Sequence, residues 1–440
     1  MSIIILRWDR IETVVSPAAQ PARTLSFREW RILALLFISG VLNYIDRANL
    51  SVGATDIQRE LGLSSYQLGE LLSAFFWTYA LVQLCTAAGW IADRFHVCWI
   101  LAGGFFLWSG ATAASGMAGT FAALFGLRLL LGVGESVAYP SYARILATCF
   151  AEHQRGFANA VVDAGTKLGP AFGALLGGLL MARFGWRPFF LVLGAGALLW
   201  LIPWFAWMPR GPAVASVGRG AGGPNAFALF RHRSALFSAL GLFCSNYFWY
   251  FLVTWLPAYL ETERHFPKTR MAIWASLCYL AVAISTTTFG WLSDHLIRHG
   301  GSPTRVRKSF AGVGLTLCTL ILPVAVIRDV QLAIALLLVT CICYGVFSCN
   351  LWAITQTLAG PRAAGKWTSI QNGFGNFAGV AGPWFTGWVV YKTGEFYLAF
   401  AAAAAIALAG AVIFVFGIGP IEQVVADEPA RQLIPVRAHR

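Results

Sequence analysis

Polar breaks divide this chain into apolar blocks, and the spacing of the breaks decides what the blocks are. Each block runs for about 20 to 25 residues with almost no charge, long enough to cross about 30 Å of hydrocarbon as helix at about 1.5 Å per residue. Twelve spans are predicted: Ile32 to Val52, Leu68 to Ile91, Cys98 to Met117, Phe121 to Phe150, Phe157 to Met181, Pro188 to Trp207, Ala235 to Leu260, Met271 to Trp291, Phe310 to Ile327, Gln331 to Thr357, Trp367 to Tyr391 and Phe396 to Ile418. Period-two alternation is absent, which argues against a lipid-facing barrel. The chain reads as an all-α membrane protein.

Between the sixth and seventh spans lies "MPRGPAVASVGRGAGGPN", a long stretch of Gly, Pro and Ala. It predicts a cytoplasmic linker over 208–234 joining a six-helix bundle over 31–207 to a second over 235–418, with cytoplasmic tails at 1–30 and 419–440. A repeat supports the division: "GWIADR" (Gly89 to Arg94) closes the second span, and "GWLSDH" (Gly290 to His295) closes the eighth. Gly and Asp stand at identical offsets in equivalent places of the two halves.

Composition sharpens this picture. Hydrophobic residues make up 58% of the 440 and charged residues only 12%, where a soluble domain carries about a quarter. The net charge of +13 would suggest nucleic acid in a soluble protein. With the N-terminus placed inside, however, roughly 21 Lys and Arg fall on the inner side and about 8 outside. The basicity is therefore topological, nucleic acid is not expected as a partner, and both termini are expected in the cytoplasm of a cell whose inner (plasma) membrane holds the protein. "MSIIILRW" is too short an apolar run for a signal peptide. The nine cysteines lie in or beside apolar segments without metal-ligand spacing and read as small core residues. All seven histidines fall in loops or tails, so proton transfer inside the membrane would have to use carboxylates.

Twelve spans in two halves, with G-x-x-x-D-R at the loop after the second, resemble the major facilitator superfamily. "NYIDRANLS" in the first span, "RLLLGVGESVAYPS" in the fourth, "GWRPFF" entering the sixth, "WLPAYL" ending the seventh and "IQNGFGNFAGVAGPWFTG" in the eleventh narrow the likeness. Together they resemble the anion:cation symporter family, which includes bacterial galactonate, hexuronate and glucarate permeases, aromatic-acid permeases, and animal vesicular glutamate and sialic acid carriers. The resemblance runs over about residues 28 to 422. Two features depart from it. After Asp93 only Arg94 and His96 supply positive charge, whereas Asp294 is followed by Arg298, Arg305, Arg307 and Lys308. "GTKLGPAFGA" also fits a pattern common in drug/proton antiporters, so efflux of small molecules stands as the alternative function.

Six formal charges remain inside the spans: Asp46, Arg47, Arg128, Glu135, Asp163 and Lys167, all in the first half. A charge in the middle of a membrane helix costs about 2.5 to 3.5 kcal/mol, so such groups are kept for a use. Asp46 and Arg47 are neighbours whose side chains diverge by about 100°, so one faces the cavity while the other reaches a neighbouring helix. Arg128 and Glu135 share one stripe of the fourth span. Asp163 and Lys167 stand at i and i+4, acid first, the favourable order for a pair; either they are a structural pair or Lys167 contacts the substrate. The second half offers amides, hydroxyls and aromatics instead, among them Gln371, Asn372 and Asn376, suited to the hydroxyl-rich part of a ligand. The resemblance implies substrate contact for Arg47 and Tyr79, proton coupling for Asp46 with Glu135 and Arg128, and gating for Asp93, Arg94, Asp294 and Arg305. Gly/Pro-rich fifth and eleventh spans are expected to be broken helices about which the halves rock.

The expected function is import of a small organic anion, a sugar acid or other carboxylate, together with protons. No G-x-x-x-x-G-K-[ST] loop and no convincing nucleophile or metal grouping is present, so neither an enzyme nor a bound cofactor is expected, and the proton gradient is the expected energy source. Membrane lipid is the remaining partner, and the protein is expected as a monomer.

Overall fold

The computed structural model describes residues 25–85, 95–150, 152–208 and 232–424. Asp93 and Arg94, the first copy of the repeat, most of the linker and the outer parts of both tails lie outside the described residues. Among the described residues no strand occurs. In the first half the helices are α1 (Phe27–Val52), α2 (Ala54–Leu61), α3 (Ser65–Leu84), α4 (Val97–Ser115), α5 (Phe121–Ser136), α6 (Ala138–Cys149), α7 (Glu152–Phe184), α8 (Trp186–Leu198) and α9 (Leu201–Trp207). The second half contains α10 (Arg233–Thr262), α11 (Lys268–Arg298), α12 (Pro303–Leu317), α13 (Ile321–Val326), α14 (Val330–Ser348), α15 (Leu351–Asn376), α16 (Ala378–Thr393) and α17 (Tyr397–Val412).

The helix starts follow local chemistry. Ser26 and Glu29 form a reciprocal capping box on α1, as do Ser64 and Gln67 on α3, so orphan backbone donors at both starts are satisfied. Thr120 and Asp329 cap α5 and α14 through single side-chain oxygens. Gly62 (φ 63°) ends α2 in the left-handed region, and Gly394 (φ 76°) does the same for α16. Among the described residues nine helical stretches are long and apolar enough to cross a membrane. The expected second, fifth and eleventh spans correspond to α3, α7 and the run from α15 into α16, which are not among the nine.

Of the two spans expected to break, the eleventh does and the fifth does not. α7 stays helical through Pro170, a single lost hydrogen bond that membrane helices tolerate. The fourth span breaks instead, at Val137 between α5 and α6, and Pro140 supplies the reason. A proline is accommodated in the first turn of a new helix and would disrupt the interior of a continuous one. The tenth span breaks at the equivalent place, at Cys349 and Asn350 between α14 and α15, and the side-chain Oδ1 of Asn350 accepts a hydrogen bond from Ser293 Oγ of α11 at 3.0 Å. Within α15 the backbone leaves the helix at Gly360 (φ 68°, ψ 171°), which separates the end of the tenth span from the start of the eleventh. The eleventh span also breaks, at Phe377.

Glycines set how closely the helices approach. Gly165, Gly169 and Gly173 lay one edge of α7 on α1: a methyl at Gly169 would lie 2.4 Å from Tyr44 Cβ, and one at Gly173 would lie 3.3 Å from Ile45 Cα. Five residues on, Gly178 turns to the other half, where a methyl would lie 2.4 Å from Ala272 Cβ of α11.

The side of the layer on which α1 ends, the far side, is closed by charge. Thr55 donates to Glu261, and Lys268 Nζ lies 2.6 Å from Asp56, 3.4 Å from Glu261 and 3.2 Å from the Val52 carbonyl oxygen. α2 of the first half is thereby fastened to α10 and α11 of the second. A separate clamp explains "GWRPFF". Glu60 accepts from Trp186 Nε1 at 2.6 Å and from Arg187 Nε at 2.7 Å, while Arg187 Nη1 donates to the carbonyls of Gly116 and Ala118.

Candidate functional site

In its last third, α1 carries Asp46 and Arg47 into two different environments, as their angular separation requires. Arg47 Nε donates to Glu135 Oε2 at 2.8 Å, with the arginine side chain 5% exposed and the glutamate 0%. Its guanidinium carbon lies 4.5 Å from the Tyr44 ring, 4.9 Å from Phe75 and 4.5 Å from Tyr79. Three rings thus hold one cation whose charge their faces attract. Arg47 Nη2 has no hydrogen-bond acceptor among the described residues. A buried donor costs free energy unless it is paired, so this nitrogen can take an incoming acceptor.

Asp46 faces the other way. Its Oδ1 accepts from Thr112 of α4 at 3.0 Å and from Asn49 at 3.3 Å, and Arg128 Nη1 donates to its backbone carbonyl at 3.3 Å. Two carboxylates and two guanidinium groups from α1 and α5 therefore share one buried cluster. Tyr44 and Tyr139 hydroxyls meet at 3.1 Å beside it, and Ser39 bonds Tyr142 at 2.7 Å.

The facing wall from the second half is neutral. Tyr250 of α10 donates to Asn376 Oδ1 at 2.5 Å, and Asn376 in turn donates to the Asn372 carbonyl at 2.7 Å. The Tyr250 ring stands 4.3 Å from Phe76 of α3, so the neutral wall reaches the aromatic residues of the first half. Asn372 Nδ2 donates across the two halves to Gln83 Oε1 at 2.8 Å. Gln371 uses both ends of its amide inside the second half, accepting from Thr355 and donating to the Ser238 carbonyl.

Among the sequence candidates, the structure brings together Asp46, Arg47, Tyr79, Arg128 and Glu135, and sets Asn376 near them through Tyr250. The Asp163 and Lys167 pair does not form. Asp163 is exposed and accepts from Thr166 Oγ1 at 3.4 Å, while Lys167 is half-buried without a hydrogen bond or ion pair among the described residues. An exposed pair returns about 0 to 1 kcal/mol, too little to fix two side chains in one geometry. Asp294 and Arg305 are both exposed and make no ion pair with each other; Arg307 reaches α15 instead, donating to Thr357 at 2.7 Å. Sequence reasoning missed Tyr44, Phe75 and Thr112 at the site, and the whole far-side set of Thr55, Asp56, Glu261 and Lys268. Tyr44 could have been found, since at i−3 from Arg47 it shares a helix face.

A buried charge cluster in one half, a neutral amide wall in the other and a closure at one end define a membrane carrier rather than a channel or an enzyme. Residues 36–383 match the Major Facilitator Superfamily. The chain belongs to that superfamily and is a multi-pass membrane transport protein. It is similar to a D-galactonate transporter of Escherichia coli O6:H1, 29% identical and covering 92% of this chain and 98% of the relative. It is also similar to a probable galactarate/D-glucarate transporter of Bacillus subtilis (28%; 94% and 98%) and to a probable sulfoacetate transporter of Cupriavidus necator (30%; 92% and 97%). The fold matches the crystal structure of a bacterial homolog of the human lysosomal transporter Spinster, inward-facing and unoccupied, with a TM-score of 0.74 at 20% identity over 91% of this chain and 97% of that one.

Proposed function

We propose that this carrier imports a small organic anion, a sugar acid or other carboxylate, together with protons through the inner membrane, with its near side, where α1 begins, in the cytoplasm. The observation that carries this reading is the buried Arg47–Glu135 pair with Arg47 Nη2 free inside an aromatic cage. A guanidinium presents donors in a planar fork that suits a carboxylate, so an entering anion competes with Glu135 for Arg47. Displacement would leave Glu135 as an uncompensated buried charge, and taking up a proton relieves it. Anion and proton thereby arrive together, driven by the proton gradient and without a bound cofactor. Asp46, held by Thr112 and beside Arg128, is the second proton carrier. Tyr79 closes over the bound anion, and Asn372 and Asn376 meet its hydroxyl groups. The named relatives support the substrate class, and they span both monoacids and diacids.

The test is uptake of labelled galactonate and galactarate into liposomes under an imposed pH gradient. Glu135→Gln and Asp46→Asn should each abolish uphill accumulation while retaining exchange of labelled for unlabelled substrate. Normal accumulation in both variants overturns the coupling scheme. Export of lipophilic cations with no response to sugar acids would favour the drug/proton antiporter instead.

A further inference from the structure

Arg307 and Lys308, neighbours near the start of α12, make their hydrogen bonds in two directions. Arg307 Nη1 donates to the Thr357 hydroxyl at 2.7 Å and to the Ala353 carbonyl at 3.4 Å, both on α15. Lys308 Nζ donates to the carbonyls of Val415 at 2.9 Å and Ile418 at 2.5 Å, where the chain leaves the twelfth span through a π-turn over Ile413–Gly417. One helix thus grips the near-side end of the tenth span with one residue and the chain after the twelfth span with the next. Beyond the π-turn, residues 418–424 run as a strap across the near-side ends of the second half. Ile421 N donates to Thr304 Oγ1 of α12 at 2.9 Å, and Val424 N donates to the Leu358 carbonyl of α15 at 2.9 Å. Ile418 and Ile421 are only 2% and 3% exposed, so apolar burial seats the strap as well as backbone bonds.

The Leu358 contact has a physical reason. In an unbroken helix its carbonyl would accept from the amide four residues on, but the backbone leaves the helix at Gly360, and a carbonyl in the last turn before such a break needs another donor. The strap supplies that donor, and the Gln423 side chain lies over the break itself: a methyl at Gly360 would stand 2.5 Å from its Nε2. Residues 351–359 therefore form a short helix with a break at each end, at Asn350 and at Gly360. Thr355 ties this segment to Gln371 beyond the second break, while Arg307 and the strap tie it to α12. The strap's own contacts are backbone amides and apolar side chains, few enough for it to lift while the helices beneath stay folded.

We infer that the strap is a brake on near-side opening. While Ile421 and Val424 are seated, the near-side part of the tenth span moves only with α12; when they lift, it swings about the break at Asn350. This rests on the transport reading above and adds a control on release of the cargo. The brake acts on an equilibrium between two arrangements of one segment, so whatever lifts the strap shifts that equilibrium without touching the residues around Arg47.

The experiment measures distances between nitroxide labels carried on non-native amino acids, which spare the nine cysteines. One sample is labelled at the exposed positions Arg28 on α1 and Gln356 in the segment, and a second at Arg28 and Ser302, which precedes α12. Both are made in wild type, Ile421→Asp, Ile421→Val and a chain ending at Pro420. Ile421→Asp and the shortened chain should raise the fraction of long Arg28–Gln356 distances about fivefold, with the Arg28–Ser302 distances as in wild type. Ile421→Val, which keeps the apolar contact, should behave as wild type in both. An unchanged Arg28–Gln356 distribution in both strap variants overturns the brake, and so does a lengthening of both pairs together, which would make the strap a clamp on the whole half. Uptake of labelled galactonate and galactarate by the same proteins in liposomes judges the transport reading separately: distances that respond as expected in a protein that takes up neither acid overturn that reading and leave the strap's hold on the segment standing.

Discussion

At the scale of single residues, the site depends on a distinction between charge and geometry. Lys in place of Arg47 would keep the positive charge but lose the planar fork that serves Glu135 and an incoming carboxylate together. Arg47→Ala removes both, and it leaves Glu135 buried without its partner at a cost of about 3 to 5 kcal/mol. We expect Arg47→Ala to abolish substrate binding, and Arg47→Lys to weaken it at least tenfold while the protein still inserts and folds. Calorimetric titration of both variants checks this, and wild-type affinity in either removes Arg47 from the site. The neighbourhood of Asp46 and Arg47 was legible in the sequence because an acid and a base in an apolar run are conspicuous. Their partners were not equally legible. Glu135 lies 88 positions from Arg47, and Thr112 lies 66 from Asp46, so no periodicity within a span joins them. Lys167 shows what spacing leaves undecided. The i, i+4 rule describes an isolated helix and left two readings open for Asp163 and Lys167, of which the pair does not form.

At the scale of elements, most of the architecture was readable as runs of apolar residues, since hydrocarbon admits little else. What the runs concealed was internal breaks. "GESVAYPS" was read as one continuous span although Pro140 sits inside it, because hydropathy records length and not backbone hydrogen bonds. The clamp of Glu60 on Trp186 and Arg187 shows how a quoted motif gains physical content. Arg187 and Trp186 donate to the Glu60 carboxylate and hold its pKa below the usual carboxylate value. A carboxyl with a lowered folded-state pKa contributes stability that is present above its unfolded pKa of about 4.3 and is lost as pH falls through the folded value. The melting temperature in detergent should therefore fall between pH 6 and pH 3 by more in wild type than in Glu60→Gln. An identical fall in both would mean that the clamp contributes nothing measurable. Glu60 is mostly exposed, so solvent screening keeps the effect modest.

At the scale of the whole molecule, the two halves are held on the far side by Lys268 among Asp56, Glu261 and the Val52 carbonyl, all near the ends of their helices. These contacts exist only while that side is shut, so they bias the balance between the two openings and not the fold of either half. Lys268→Met should shift the balance toward opening on the far side by about fivefold to tenfold, which corresponds to about 1 to 1.4 kcal/mol. Spin labels on α2 and on the start of α11 should report a larger fraction of long distances in the variant. An unchanged distance distribution would show that apolar packing such as Gly69 against Pro383 and Gly387 closes that side unaided.

The junction at Val137 carries one more consequence. Glu135 lies in the last turn of α5, and Tyr139 and Tyr142 belong to α6, so the carboxylate and the tyrosines beside it ride on two separate levers. A bend at that joint swings the near-side lever without dragging the buried acid off Arg47. The tenth span repeats the joint at Cys349 and Asn350, with Asn350 tethered to Ser293. Each half thus owns an elbow at the depth of the cargo, and the passage on the near side can widen by flexing two forearms while the hand that grips the cargo stays still.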